Sequence, residues 1–332
     1  MANILITQHI GGKGVHKLRE AGHAVTYRDK TDAMTPAELQ TAVRHCQGLI
    51  CLLTDRVDTA VLNAAPNLKM VANVAVGYDN IDLAAATARG ILVSNTPDVL
   101  TETTADHAFA LLLAIARRIP EADAYMRAGQ YEKFEMFPPL LGLDVYGKTL
   151  GIVGMGRIGT AVARRGALGF GMKVLFTANG AKTAVAQELG AQKMALPELL
   201  RQSDFVSINV PLTPETRHLF TIETLRQMKP SACLINTARG PIVKEDDLLT
   251  ALREGIIWGA ALDVFEAEPK MAPGLANYHE RLVVAPHLGS ATGETRQKMV
   301  DTAVTNLLAG LAGQKPPNAL NPKVYDENIS AD

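Results

Sequence analysis

The chain has 332 residues, which exceeds the size at which a single hydrophobic core usually stops growing, so we expect two domains. Its 33 basic and 34 acidic side chains are interspersed and leave a formal net charge of -1, which excludes a large charged field for a nucleic acid or an anionic membrane. Apolar residues make up 47% of the chain and charged residues 20%, and these globular proportions exclude wholesale disorder.

The start of the chain and its cysteines indicate a cytoplasmic protein. Met1 leads directly into a strand-like run, without the basic region and long apolar stretch of a signal peptide. The longest apolar run, 108–116, is about half of the ~18 residues that would suggest a membrane span. Cys46, Cys51 and Cys233 lack C-x-x-C spacing and lie in apolar stretches, so we expect reduced cysteines in the core.

The beginning of the chain alternates short apolar or β-branched runs with helix-length segments, which predicts a βαβ series and hence a parallel sheet. Thr35-Pro36-Ala37-Glu38 combines a capping residue, a proline in the first turn and an acid at the third position, so a helix should begin there. The glycine-rich stretch 11–14 lacks the spacing of a phosphate-binding P-loop and is interpreted as a turn. The predicted strands are 3–7, 24–27, 48–53, 69–76 and 91–95.

The middle of the chain indicates a bridge to a second domain. An amphipathic stretch, 101–129, is followed by a segment with proline and aromatic residues, 131–139. A second βαβ series comes next, and the chain then becomes helical over 292–311 and ends in a Pro/Asn-rich tail from Gln314. If that last helix packs on the first series, the first domain is discontinuous and the second is inserted within it. The predicted strands of the second series are 149–153, 173–177, 205–210, 233–238, 260–265 and 282–285.

The strongest local signal is the fingerprint Gly154-Met155-Gly156-Arg157-Ile158-Gly159, directly after strand 149–153 and at the start of a predicted helix. Glycines there permit a tight turn and let backbone N–H groups approach a pyrophosphate at the positive end of a helix. A glycine cluster in a loop can arise by chance, but here a strand precedes the motif and a helix follows it. The motif therefore predicts a dinucleotide site that includes Gly154, Gly156, Arg157, Ile158 and Gly159.

The end of the next predicted strand bears on the choice of cofactor. About twenty residues after the fingerprint, NAD enzymes usually present an acid to the ribose 2′-hydroxyl. The stretch 176–182 contains no acid, whereas Thr177, Asn179 and Lys182 could donate hydrogen bonds or charge to a 2′-phosphate. The sequence therefore favours NADP over NAD, although a loop of this composition could also accept either cofactor.

Three polar residues of the second half stand at or just beyond predicted strand ends: Arg239, Glu268 and His287. Carboxyl ends of parallel strands are where ligands bind in such sheets. Reduction of a 2-oxo acid needs a cation for the carboxylate and carbonyl, a proton donor for the developing alkoxide, and a carboxylate beside that donor. Each residue alone is unremarkable on a protein surface, but together with the upstream fingerprint they indicate a hydride-transfer enzyme.

With these motifs in hand, the sequence resembles the D-isomer-specific 2-hydroxyacid dehydrogenase family from Asn3 to about Asn321. The resemblance implies an α/β fold of two doubly wound parallel-sheet domains. A Rossmann cofactor domain, residues 100–288, would be inserted into a flavodoxin-like substrate domain, residues 1–99 and 289–332. It also implies a homodimer. The motifs that carry the match are 154–159, 210–216, 237–240, 259–269 and 286–291.

The resemblance also implies roles for individual residues. Arg239, Glu268 and His287 would be catalytic: a nicotinamide donates hydride to the carbonyl carbon, His287 gives a proton to the oxygen, and Glu268 supports the protonated imidazole. The implied substrate-binding residues are Leu53, Val76, Gly77 and Arg239, with Val76 and Gly77 offering backbone N–H groups to the carboxylate. The further cofactor-binding residues implied are Thr104, Val210, Pro211, Thr216, Thr237, Ala238, Asp263, His287 and Gly289.

Single residues narrow the substrate within the family. A formate dehydrogenase of this group is expected to lack Glu268, and a phosphite dehydrogenase is expected to carry lysine where Val76 stands. Segments 51–55 and 74–79 look most like glyoxylate and hydroxypyruvate reductases, so we expect NAD(P)H-dependent reduction of glyoxylate or hydroxypyruvate. A short phosphoglycerate dehydrogenase, or an enzyme for another oxo acid, remains an alternative.

Other classes of function are less consistent with the residues. Transcriptional corepressors resemble these dehydrogenases and keep the catalytic three, so a cofactor-sensing role stays open, but no basic or interaction-rich tail accompanies it here. The histidines form no H-x-x-x-H or H-x-H pair, so no metal site is predicted. The aromatic segment 131–137 is interpreted either as dimer packing or as an element that reaches the partner subunit's substrate pocket, with Tyr131, Phe134, Met136 and Phe137 as its large side chains.

Overall fold

The computed structural model describes residues 1–180 and 182–325 and divides the chain into two compact units. The first unit comprises Met1–Leu100 together with the chain from Thr292 onward, and the second comprises Thr101–Ala291. Each unit has its own parallel sheet with helices along the chain between most strands.

The first unit alternates strands and helices from its first residues. The Thr35 hydroxyl accepts the Glu38 N–H while the Glu38 carboxylate accepts the Thr35 N–H, so the predicted capping box is present at the start of the second helix. The elements are β1 (Asn3–Ile6), α1 (Gly12–Glu20), β2 (Ala24–Tyr27), α2 (Pro36–Ala42), β3 (Gly48–Cys51), α3 (Thr59–Ala64), β4 (Met70–Asn73), α4 (Leu83–Ala88) and β5 (Leu92–Ser94).

The second unit begins with two consecutive helices before its first strand. Its elements are α5 (Thr101–Ala116), α6 (Ile119–Arg127), β6 (Thr149–Val153), α7 (Arg157–Arg164), a π-helical turn (Arg165–Gly169), β7 (Lys173–Thr177), α8 (Thr183–Leu189), β8 (Gln192–Lys193), α9 (Leu196–Gln202), β9 (Phe205–Ile208), α10 (Ile222–Leu225), β10 (Cys233–Asn236), a 3-10 turn (Gly240–Ile242), α11 (Glu245–Arg253), β11 (Gly259–Leu262), α12 (Pro273–Ala276) and β12 (Leu282–Val284). The last helix of the chain, α13 (Gly293–Leu311), belongs to the first unit.

The sheet of the first unit has five parallel strands in the order β2-β1-β3-β4-β5. Strands β3 and β4 are buried along their whole length, as expected where a parallel sheet is covered on both faces. Helix α13 packs on these two strands. It also approaches α1 so closely that a Cβ added to Gly14 would lie 2.6 Å from Val300 Cγ1, which explains the glycine at that position.

The sheet of the second unit has seven parallel strands in the order β12-β11-β10-β9-β6-β7-β8. Successive side chains point to opposite faces, so Phe205 packs with α5 and α7, whereas Val206 packs with α9 and α11. The chain runs outward from β6 through β7 to β8 and then returns to β9 on the other side of β6. The strand order therefore reverses at the carboxyl ends of β6 and β9, which is where doubly wound sheets bind ligands.

The structure confirms the predicted α/β class and its two doubly wound parallel sheets. One local prediction was wrong, and two features of the structure were not predicted. Residues 11–14 are not simply a turn, because α1 begins at Gly12. The stretch 101–129 is two helices, because Arg118 adopts the left-handed conformation (φ 53°) just before Pro120. The short strand β8 was missed, since its two residues carry no apolar signal.

Among the described helices, none combines the length and the apolar character that a membrane span requires.

The three cysteines are unpaired and buried, as the sequence predicted. Burial raises the pKa of each thiol at Cys46, Cys51 and Cys233. A higher pKa leaves less thiolate at neutral pH, and the thiolate is the reactive form. We expect the native protein to react slowly with a disulfide reagent and to release three thiol equivalents after unfolding in denaturant; fast reaction of native protein would contradict this burial.

Candidate active site

The fingerprint turn joins β6 to α7 in a conformation that requires glycine. Gly154 has φ 100°, and a Cβ there would lie 2.7 Å from the Asn209 carbonyl oxygen. A Cβ at Gly159 would lie 2.1 Å from the Gly154 carbonyl oxygen, so the helix can cross the turn this closely only without a side chain.

Gly156 differs from its two neighbours because space surrounds it. It caps α7 without a side chain, and an added Cβ would meet no atom of the described chain within 4 Å. The first turn of α7, which begins at Arg157 and Ile158, therefore has no side-chain cap and lies at the positive end of a helix. This cradle fits the pyrophosphate of a dinucleotide.

Alanine should have different effects at Gly156, which is surrounded by space, and at Gly159, which is closely packed. Gly156→Ala should leave the thermal midpoint of unfolding unchanged, because its methyl group meets no protein atom. It should weaken NADPH binding by about tenfold or more, or about 1.4 kcal/mol, because the methyl group occupies the space for the pyrophosphate. Gly159→Ala should lower both affinity and the unfolding midpoint.

Fluorescence titration with NADPH and thermal melts measure these effects. Gly169→Ala is the matched control, because its Cβ also meets open space but lies outside the fingerprint. Unchanged NADPH affinity in Gly156→Ala would contradict a pyrophosphate site at this turn.

Two buried polar atoms at the carboxyl edge of the sheet have no partners among the residues that the structure describes. They are Asn209 Oδ1, just after β9, and Thr237 Oγ1, just after β10. Strand β9 pairs with both β6 and β10. Because buried polar atoms are nearly always hydrogen-bonded, two such atoms at the carboxyl edge of the sheet indicate a polar ligand there. Thr237 was predicted to bind the cofactor; Asn209 was not.

The loop after β7 carries the residues predicted to select the cofactor. Thr177 is the last residue of β7 and is half-buried, whereas Asn179 and Lys182 are exposed. A second lysine, which the sequence analysis missed, reaches this loop: Lys193 Nζ donates to the Gly180 carbonyl over 2.7 Å. The loop thus gathers cations where an NAD enzyme usually has an acid.

A buried carboxylate at the end of β11 organises the loop that carries His287. Asp263 is fully buried, its Oδ1 accepts the Leu288 N–H over 2.7 Å, and its Oδ2 accepts the Gly289 N–H over 2.8 Å. Its carbonyl oxygen accepts the His287 N–H over 2.8 Å, and His107 Nε2 lies 3.1 Å from Oδ1. These contacts hold the backbone of His287 in the left-handed conformation, with φ 56°, which residues other than glycine rarely adopt.

Glu268 and His287 form a hydrogen-bonded pair. His287 Nδ1 lies 2.8 Å from Glu268 Oε2, and both side chains keep about a quarter of their surface exposed, at 26% and 29%. Glu268 Oε1 accepts the Phe265 N–H over 3.0 Å, which fixes the carboxylate. His287 Nε2 makes no hydrogen bond to any residue that the structure describes. An imidazole held at Nδ1 by a carboxylate and presenting Nε2 is suited to proton transfer.

Arg239 follows the neighbouring strand β10 in a turn that a buried asparagine fixes. Asn236 accepts the Ala238 N–H and donates to the Arg239 carbonyl, each over 3.0 Å. A Cβ at Gly240 would lie 1.9 Å from the Phe265 carbonyl group, so this turn packs directly against the loop that bears Glu268. The catalytic three thus follow adjacent parallel strands, β10, β11 and β12.

The residues predicted to bind substrate in the first unit lie after β3 and β4. Asn73 donates to the Gly77 carbonyl over 2.8 Å and Asn95 donates to the Val76 carbonyl over 2.7 Å. The N–H groups of Val76 and Gly77 have no partner within residues 1–180 and 182–325. The Val76 carbonyl shares a peptide plane with the Gly77 N–H, and the Ala75 carbonyl, which accepts the Thr96 N–H over 2.9 Å, shares one with the Val76 N–H. Both N–H groups are therefore held in place and can bind an anion. Leu53 lies in the turn after β3 and is half-buried.

The sequence of the second unit matches a family model. Residues 109–289 match the NAD binding domain of D-isomer specific 2-hydroxyacid dehydrogenases, which is more than half of the chain. The chain belongs to this family. It is therefore an NAD(P)-dependent oxidoreductase, and the family predicted from the sequence is confirmed.

Similar proteins extend the match to nearly the whole dehydrogenase. A glyoxylate reductase of Korarchaeum cryptofilum is 48% identical over 321 residues, 97% of this chain and 96% of the relative. A crystal structure of a Thermus thermophilus protein has TM-score 0.88 and 45% identity, covering 96% of this chain and 99% of that chain. An NADPH-dependent glyoxylate/hydroxypyruvate reductase of Sinorhizobium meliloti, in complex with NADP and malonate, has TM-score 0.84 and 33% identity, covering 96% and 97%.

The remaining predicted cofactor residues of this dehydrogenase lie in loops at the same edge of the second sheet or beside it. Val210 and Pro211 come after β9, and the Thr216 hydroxyl donates to the Pro211 carbonyl over 2.7 Å, which fixes that loop. Thr104, on α5, is buried and its side chain would lie 3.3 Å from a Cβ on Gly289.

Two residues that organise the site were missed because their contacts are long-range. His107 comes from α5, far along the chain from its partner Asp263. Glu245 opens α11 and accepts N–H groups from the loop beyond Phe265. Neither the helical position of His107 nor the acid in the first turn of α11 distinguishes these residues from ordinary helix residues in the sequence.

Proposed function

We propose that this dehydrogenase reduces glyoxylate or hydroxypyruvate to the D-2-hydroxy acid, with NADPH preferred over NADH. The observation that carries the proposal is the Glu268–His287 pair beside the Arg239 turn, in the unit that also has the fingerprint cradle. The substrate follows from relatives named glyoxylate reductase that are 48% identical over 97% of this chain.

The proposed roles follow from the geometry. The nicotinamide supplies a hydride to the carbonyl carbon when it is bound. His287 donates the proton from Nε2 to the carbonyl oxygen, so that the carbonyl becomes a hydroxyl group and the imidazole becomes neutral. Glu268 stabilises the imidazolium at Nδ1 before that transfer. Arg239 binds the carboxylate and the carbonyl oxygen and stabilises the developing negative charge.

A small substrate suits the donors of the first unit. We assign the substrate carboxylate to the N–H groups of Val76 and Gly77, whose peptide planes are held by the Thr96 N–H and by Asn95, with Leu53 as an apolar neighbour. The backbone donors bind the carboxylate end of the substrate. The other end of glyoxylate or hydroxypyruvate carries no charge, so it requires no charged side chain.

The preference for NADPH rests on the loop after β7. No acid stands between Thr177 and Lys182, and Lys193 bonds to the Gly180 carbonyl over 2.7 Å. Cations favour a 2′-phosphate, whereas a carboxylate would repel it. The Sinorhizobium meliloti relative is itself NADPH-dependent.

Asn179→Asp tests this preference directly, because it changes charge with almost no change in size. We expect KM for NADPH to rise by about tenfold, or about 1.4 kcal/mol, while KM for NADH stays the same or falls. Asn277→Asp, which also adds an acid at an exposed position of the second unit, is the control. Equal effects on the two cofactors would argue against a 2′-phosphate contact.

A homodimer is proposed from the exposed apolar side chains of the segment after α6. Phe134, Met136 and Phe137 expose 79%, 73% and 79% of their surface in the single chain. Such a patch is typical of a subunit interface. Sedimentation equilibrium of the wild-type chain tests this, and a single-chain mass would contradict it. We also propose that the enzyme works in the cytoplasm.

The test of the reaction is oxidation of NADPH and NADH with glyoxylate, hydroxypyruvate and pyruvate in parallel. Turnover should be fastest with glyoxylate or hydroxypyruvate and with NADPH. No turnover with either acid, under conditions where titration detects bound cofactor, would contradict the proposed substrate. Chiral analysis of glycerate formed from hydroxypyruvate checks the D configuration.

A further inference from the structure

His218 lies between the Arg239 turn and the Glu268 loop, and it has an unusual backbone. Its φ is 53°, in the left-handed region that glycine adopts easily and other residues rarely do. Strained backbone of this kind persists where surrounding contacts hold it. In His218 these contacts come from two directions.

The backbone of His218 is joined to the segment that follows Arg239. The His218 N–H donates to the Pro241 carbonyl over 2.8 Å, and two residues later the Phe220 N–H donates to the Ile242 carbonyl over 3.0 Å. The chain from His218 to Phe220 therefore runs beside the 3-10 turn that begins one residue after Arg239.

The side chain of His218 is joined to the loop that carries Glu268. Its Nε2 lies 2.6 Å from Glu266 Oε1. The other oxygen of Glu266 accepts the Glu245 N–H over 2.8 Å, and the Glu245 carboxylate accepts the N–H groups of Glu266 and Ala272. Glu245 is buried. The two glutamates thus fix the loop on both sides of Glu268, and His218 adds a side-chain connection between this arrangement and the Arg239 turn.

We propose that His218 is a positioning residue, which holds the Glu268–His287 pair in register with Arg239. The inference rests on the proposed function, in which those three residues carry out the reduction. Because Phe265, the neighbour of Glu266, packs against Gly240 and also donates to Glu268, a shift of this loop moves the carboxylate that holds His287 Nδ1. Displacements of about 1 Å at a reacting group can cost about 100-fold in rate.

His218→Gly removes the imidazole and keeps a residue that adopts φ 53° without strain. We expect kcat/KM for the oxo acid to fall by about tenfold or more, with the Kd for NADPH unchanged. Arg281→Gly is the matched control, because Arg281 is also left-handed, with φ 51°, in the same unit, and it contacts Trp258 and Glu121. Wild-type kcat/KM in His218→Gly, or an equal loss in both variants, would overturn the proposal.

A double-mutant cycle separates positioning from a general loss of stability. Glu266→Gln keeps an oxygen for the Glu245 N–H but replaces the carboxylate that faces His218. If the two residues act through their contact, the double variant should lose no more kcat/KM than the worse single variant. Independent, additive losses would overturn the proposal.

A spectroscopic measurement keeps this inference separate from the proposed substrate. With eight histidines in the chain, the ring nitrogen resonances of His287 can be assigned in ¹⁵N-histidine-labelled enzyme by comparison with His287→Gln. They should move in His218→Gly and not in Arg281→Gly. If the wild-type enzyme reduces neither glyoxylate nor hydroxypyruvate, the proposed function is wrong. The resonance measurement alone then tests whether His218 positions His287. Unmoved His287 resonances would overturn the proposal.

Discussion

Replacement of Arg239 by alanine is expected to lower kcat/KM for glyoxylate by about 1000-fold or more, which corresponds to about 4 kcal/mol of transition-state stabilisation. The reason is that Arg239 supplies both the charge that binds the carboxylate and the donor for the developing alkoxide. Removal of a donor to the charge that develops in the transition state costs far more than removal of an exposed ion pair. Steady-state kinetics with varied glyoxylate measure the loss.

The Kd for NADPH should stay near the wild-type value in Arg239→Ala, because the fingerprint turn and the loop after β7 lie at other strands. Arg239→Lys is the informative companion: it keeps the charge but loses the planar two-donor geometry, so its activity should fall between wild type and alanine. If Arg239→Ala also loses NADPH binding, the turn after β10 has collapsed and the role assigned to the side chain is wrong.

The fold was largely predictable because the strands of a parallel sheet are apolar on both faces. Every strand predicted in the first unit overlaps an observed strand, but the predictions for β3 and β4 ran on by two or three residues, into 52–53 and 74–76. The apolar run continues there after the hydrogen-bonded ladder has ended. In β4 the chain leaves the ladder because Asn73 holds the Gly77 carbonyl and turns the loop. Such a side-chain contact has no signature in hydrophobic periodicity.

The candidate site was predictable only where chemistry is local in the sequence. The fingerprint glycines form one turn, so their spacing is enough to predict it. The contacts that support His287 join residues far apart in the sequence. Asp263, at the end of β11, holds the loop that carries His287, and His107 reaches Asp263 from α5. In the sequence Asp263 lies inside the predicted strand 260–265, and the resemblance implies that it is a cofactor residue. That role remains a prediction, and the structure adds that protein N–H groups occupy both of its oxygens.

Replacement of His287 by glutamine is expected to lower kcat for glyoxylate reduction by about 100- to 10000-fold, because glutamine fills similar space but cannot donate a proton to the alkoxide as an acid. The wild-type rate of reduction should fall as pH rises, since the donor must be protonated. In His287→Gln that limb of the pH profile should be absent, and the slow residual rate should be flat. Rates measured over a series of pH values at saturating NADPH test this.

Glu268→Gln separates proton donation from support of the donor. Glutamine can still accept from the Phe265 N–H and contact His287 Nδ1, but it cannot stabilise the imidazolium by charge. Its kcat should therefore lie between those of wild type and His287→Gln. His279→Gln, at an exposed position of the same unit, is the control and should match wild type. A His287→Gln enzyme that keeps the wild-type pH limb would show that another group donates the proton.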